Sequence, residues 1–84
     1  MAIDGKYGRV STEHGNIGED EPVIVFRAQD KLLPNVLSHY VQLCEQAGSP
    51  SHHIARVEQS LSEVLEWQAS NFTKVPTSDS LAPN

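Results

Sequence analysis

Cysteine is nearly absent: Cys44 is the only one in 84 residues, so no intramolecular disulfide can close. A lone thiol on an apolar stripe suits a reducing cytosol better than a secreted disulfide scaffold. Long apolar runs are missing too. The longest is the Val-Ile-Val-Phe of residues 23–26, far short of the roughly 20 residues that span a bilayer. The N-terminus lacks the basic-then-apolar layout of a signal peptide, and the expectation is a soluble, cytoplasmic protein. Cations are scarce, six Lys and Arg against eleven Asp and Glu, for a formal charge of −5. That balance excludes sequence-independent nucleic-acid binding, whose affinity comes from neutralising phosphates. A local site for a small anion remains open, and an acidic surface suits docking on a basic patch of another protein.

The chemistry-bearing patterns are equally sparse. The four histidines, His14, His39, His52 and His53, do not combine with Cys44 at any zinc-framework spacing, and the adjacent His52 and His53 diverge around a helix. Gly8, Gly15 and Gly18 form neither a Walker loop nor a dinucleotide fingerprint. Cys44 has no charge partner implied by its neighbours, Ser38 and His39 diverge on one helix, and no paired carboxylates mark a general acid and base. Neither metal, cofactor nor enzymatic activity is expected.

What is present organises around residues 22–48. Residues 23–26 are β-branched or aromatic without polar alternation, which reads as a strand covered on both faces or at a subunit contact. Beyond Asp30 the period turns helical, because Leu33, Val36, Leu37, Tyr40, Val41, Cys44 and Ala47 fall on one stripe. The spacing predicts a helix over 33–47, with Asp30 capping it or the turn before it, Pro34 in its first turn and Gly48 as a left-handed stop.

Before this stretch, residues 1–5 read as a fraying terminus. Residues 6–13 alternate loosely and read as an edge strand, and residues 14–22 as a Gly- and acid-rich loop. The economical pairing is an antiparallel hairpin of residues 6–13 with 23–26. After it, Gly48-Ser49-Pro50 ends one helix and starts another, with Ser49 as cap and Pro50 first in the helix. The second helix is placed at 50–69 or slightly beyond. Its apolar stripe is Ile54, Val57, Leu61, Val64, Leu65 and Phe72, with Trp67 at the margin, and Arg56, Glu58, Glu63 and Glu66 face outward. So short a connection makes the two helices antiparallel neighbours. The fold class is α+β, a β-hairpin followed by a two-helix hairpin (β-β-α-α), as one domain over 1–72 with a flexible tail over 73–84. One small domain without disulfide or metal has a marginal core, so a homo-oligomer is expected.

Two segments are candidate ligand sites. Arg27, Gln29 and Asp30 leave a strand and enter a helix, placing a planar guanidinium and an amide beside helical N–H groups that attract anions. The plainer reading has Asp30 as a cap and Arg27 paired with Glu19, Asp20 or Glu21. Lys6, Tyr7 and Arg9 set two cations and an aromatic around Gly8, suited to stacking on a base and holding a phosphate. The plainer reading there is an edge strand with solvated charges. Trp67 reads as a lid on the core or an interface residue.

At Tyr7-Gly-Arg-Val, Asp20-Glu-Pro-Val, Phe26-Arg-Ala-Gln-Asp and Glu66-Trp-Gln the chain resembles short proteins encoded by bacteriophages and by bacterial genomes carrying them. The resemblance implies a small, often oligomeric accessory protein that acts on a host factor or sequesters a host metabolite. The layout is also similar to phage proteins that soak up cyclic-nucleotide immune signals, none of whose ligand contacts maps onto a position here. Because Lys6, Tyr7, Arg9 and Arg27 cluster at or near the strand pair of an otherwise acidic chain, the expected function is a non-enzymatic oligomer whose sites, made by these residues, bind a small anionic, nucleotide-type ligand. The alternative is an acidic inhibitor or adaptor that meets a host protein through residues 18–21 and the Glu-rich face of the second helix.

Overall fold

The computed structural model describes residues 2–76. The class is α+β: three short strands, β1 (Ala2–Asp4), β2 (Gly8–Val10) and β3 (Pro22–Val23), precede two helices, α1 (Leu33–Ala47) and α2 (Ser51–Ser70). The sheet order is β2-β1-β3. β1 runs antiparallel to β2, with Ala2 opposite Val10 and Asp4 opposite Gly8, and parallel to β3, with Asp4 opposite Val23.

This corrects the expected hairpin in two ways. Residues 2–4 do not fray but form the central strand, burying Ala2 and Asp4. The apolar run at 23–26 is a strand only at its first residue, and Ile24 and Phe26 are 76% and 50% exposed. The reason lies in the partner. β1 ends at Asp4, and the Asp4 side chain, instead of a further backbone carbonyl, accepts the Val25 N–H. The ladder stops where the backbone acceptors run out.

α1 spans the predicted residues. Gly48 follows it at φ 77°, ψ 30°, donating to the Glu45 carbonyl while Ser49 N–H reaches the Cys44 carbonyl at 2.9 Å. A side chain there would be strained in the left-handed region, which glycine enters freely. Asp30 Oδ1 accepts the Leu32 N–H at 2.7 Å, so Asp30 caps the turn before the helix. α2 begins one residue later than expected, with Pro50 as its flanking residue and no side-chain cap from Ser49.

The helices pack side by side, but the interface is thin. α1 buries Leu33, Val41 and Cys44, while Ile54, Val57, Leu61 and Val64 of α2 are half-buried. Val36 and Tyr40, expected on the covered stripe, remain 41% and 46% exposed. Leu65 and Phe72 are likewise uncovered, Phe72 because α2 ends at Ser70. Tyr40 meets His53 edge to face, with ring centroids 6.1 Å apart. Among the described residues no helix is long and apolar enough to cross a membrane.

Of the stretch expected as a tail, residues 73–76 are described. Lys74 forms a parallel bridge with Asp30: its N–H donates to the Gln29 carbonyl at 2.9 Å, and its carbonyl accepts the Lys31 N–H at 3.0 Å. Residues 77–84 lie outside the described residues.

Candidate functional site

Three segments distant in sequence meet at one small cleft with about 40 Å³ of space inside it. The turn between β1 and β2 contributes Lys6 and Tyr7. The segment leaving β3 contributes Val25, Phe26, Arg27, Gln29 and Asp30. The segment returning from α2 contributes Lys74 and Pro76.

Asp4 joins the first two walls. Its Oδ1 accepts the Lys6 and Tyr7 N–H groups at 2.8 and 2.7 Å, and its Oδ2 accepts that of Val25. Because the Tyr7 and Val25 hydrogen bonds favour the charged carboxylate, its pKa is held below the ordinary value of 3.8, and its desolvation opposes this only in part. A buried carboxylate with three backbone donors is thus a fixed brace, not a group poised to exchange protons near neutral pH.

The second wall is folded by its own turn. Asp30 N–H donates to the Arg27 carbonyl at 3.0 Å, and Leu33 N–H donates to the Asp30 carbonyl at 3.2 Å. Gln68 on α2 then fixes it from behind, its Nε2 donating to the Ala28 and Asp30 carbonyls at 2.9 Å each. Substituting Gln68 by Ala leaves two carbonyls without these donors and is expected to cost about 1–2 kcal/mol, read from chemical denaturation. The cleft should loosen accordingly.

Five of the six residues singled out by sequence therefore converge: Lys6, Tyr7, Arg27, Gln29 and Asp30 all line the cleft. Arg9 does not line it, and sits on β2 opposite Ile3. The expected contribution of helical N–H groups is also altered, since Asp30 takes the Leu32 N–H on its side chain and the Leu33 N–H on its carbonyl.

Lys74 was missed because a polar, Pro-containing stretch reads as a tail. The signal available was Thr73 and Val75 alternating around Lys74 before Pro76. Asp4 was missed although Asp4-Gly5 between two short apolar runs is a turn signature.

Chemically the cleft gathers two ammonium groups, a guanidinium, one carboxamide and one carboxylate, with aromatic surface at its rim. The Lys6 Nζ lies 5.6 Å from the Tyr7 ring centroid, within cation–π range. Tyr7 and Phe26 are 42% and 50% exposed, with Lys6 lying over one face of the Tyr7 ring. On the far side of Phe26 a wider, open groove is lined by Leu33, Val64 and Trp67. Trp67 is 41% exposed there. Among the described residues no three His, Cys, Asp or Glu side chains gather as a metal site.

No family model, no curated protein and no solved structure matches the chain.

Proposed function

We propose that this protein is a non-enzymatic, oligomeric binder that holds a small anionic ligand of nucleotide type in the cleft between Lys6, Arg27 and Lys74. The observation that carries the reading is the meeting of three cations from remote segments in a chain of net charge −5. Positive charge so scarce and yet so concentrated suits a phosphate or carboxylate. Arg27 brings a planar fork for its oxygens, and Tyr7 and Phe26 offer stacking surface for a base. Asp30, engaged with the Leu32 N–H, shapes the rim and disfavours more highly charged polyanions such as nucleic acid. The role that fits such a site is sequestration: lowering the free concentration of an anionic signal in the cytoplasm, as the resemblance to phage accessory proteins implies.

Native mass spectrometry of the protein purified from its own host tests this. A stoichiometric small adduct is expected, and its mass identifies the ligand. Bare protein, or protein carrying a second polypeptide in place of a small adduct, overturns the reading and favours the acidic adaptor.

A further inference from the structure

The outer side of α1 does not look like a solvent face. Leu32, which flanks α1 with helical backbone angles, and Val36, Tyr40 and Leu43 within it are 51%, 41%, 46% and 46% exposed, and their spacing of four, four and three residues puts them in one line. At about 100° per residue that line lies roughly 100° around the helix from the buried Leu33, Val41 and Cys44. It is a second apolar stripe, covered within the single chain only where the Tyr40 ring edge meets His53 of α2.

The charge pattern is the second observation. Glu45 is the only Asp, Glu, Lys or Arg in α1, and it falls roughly 180° from the centre of the stripe. α2, by contrast, carries Arg56, Glu58, Glu63 and Glu66. Charge depletion with aromatic and aliphatic residues at the centre is how interface cores differ from ordinary surface. Two copies of a chain with net charge −5 repel. A charge-poor helix side is where they can meet without placing acid against acid.

We infer that two copies of this chain pair through the exposed stripe of α1, antiparallel and about a twofold axis. The stripe is self-complementary in that arrangement: Leu32 lies opposite Leu43 of the second copy, and Val36 opposite its Tyr40. A twofold contact requires this property, because one patch must serve as both halves. The four side chains present on the order of 400 Å², enough for the apolar centre of a standard interface of about 800 Å² per partner. Asn35, His39 and Gln46 supply an uncharged rim. The occupant is a second copy because the need is intrinsic: Ala2, Leu33, Val41 and Cys44 are the only buried apolar residues among those described. Such a core is marginal for a chain of this length, and area buried against a partner adds to it. The copy always present at the chain's own concentration is the chain itself.

None of the four stripe residues lines the ligand cleft, so this inference and the proposed ligand binding can fail separately. The test is the mass of the full-length protein in solution by light scattering. Wild type is expected at twice 9.2 kDa, and a monomer overturns the inference. Leu32→Glu and Leu43→Lys are each expected to give monomers at concentrations where wild type pairs, and their equimolar mixture to recover a dimer through one Glu–Lys contact and one intact Leu–Leu contact. Two folded monomeric variants that fail to recover on mixing overturn the antiparallel register, and variants that remain dimeric overturn the face. Should either charge prevent folding, near-isosteric Val36→Thr keeps the question open to measurement. It is expected to raise the dimer Kd at least roughly tenfold with helix content unchanged, and an unaltered Kd counts against the stripe.

Discussion

Replacing Arg27 and Lys6 together by Ala is expected to lower affinity for a nucleoside monophosphate on the order of 100-fold, with helix content unchanged. Each cation removed takes one charge-assisted hydrogen bond from the ligand's oxygens, and each such bond is worth roughly a factor of ten where water is only partly excluded. Isothermal titration with adenosine monophosphate, compared with adenosine alone, reads both the loss and its dependence on the phosphate. Arg9→Ala is the control carried by the same chain. It removes a cation of the same β1–β2 unit that does not line the cleft, so affinity should stay within about twofold. Equal losses in both variants would mean that the cleft is not the site and that diffuse charge alone attracts the anion. Wild-type affinity should also fall as salt is raised, since the recognising charges are partly exposed.

Asp4→Asn is expected to be the most destabilising single polar substitution in the chain. Three backbone N–H groups converge on two carboxylate oxygens. An amide offers one oxygen and one NH2, so whichever way it turns, at least one N–H faces a donor. A fall in melting temperature of roughly 10 °C is expected, consistent with a domain of this size, together with weaker ligand binding as the Lys6-Tyr7 turn parts from Val25. The pH dependence gives a second reading. In the unfolded chain Asp4 titrates near 3.8, and in the folded chain below it. Its contribution is therefore complete above 3.8 and is lost as pH falls through the folded value, because the unfolded state then binds a proton that the native state refuses. Thermal unfolding followed between pH 6 and pH 2 should show this acid limb in wild type and a flatter one in Asp4→Asn. Identical slopes would remove Asp4 from its bracing role.

The helical half of the molecule was legible because its signals are local. The apolar spacing of Leu33, Leu37, Val41 and Cys44, with Gly48 behind them, is enough to place α1. The sheet was not legible in the same way. Strands of two or three residues carry too little periodicity to be read, and the identity of the central strand is decided by pairing, not by composition. Residues 23–26 look more like a strand than Ala2-Ile3-Asp4 does, yet β1 takes the centre because it can pair on both sides and close a tight turn through Asp4. The cleft was legible as a cluster of Lys6, Tyr7, Arg9 and Arg27 near the strands, of which Arg9 does not line it. That Lys6 and Arg27 share one site follows from the Asp4 brace, and that Lys74 joins them follows from the bridge to Asp30; both are long-range consequences of folding. Val36 and Tyr40 were read correctly as apolar and wrongly as covered, because periodicity locates a stripe without saying how wide a single neighbouring helix can reach.

The bridge between Asp30 and Lys74 also sets a clock. During synthesis the turn bearing Lys6 and the segment bearing Arg27 emerge early, but the third cation reaches them only after α1 and α2 have been made and the chain has folded back. Closing so long a loop costs only slightly more than closing a short one, so the delay arises from the order of synthesis and not from the energetics of closure. A polypeptide still short of residue 74 has two of the three charges and an open wall. On the proposed reading, capture of an anion is then a property of the chain folded through residue 74, and a chain that stops before Lys74 is expected to bind more weakly.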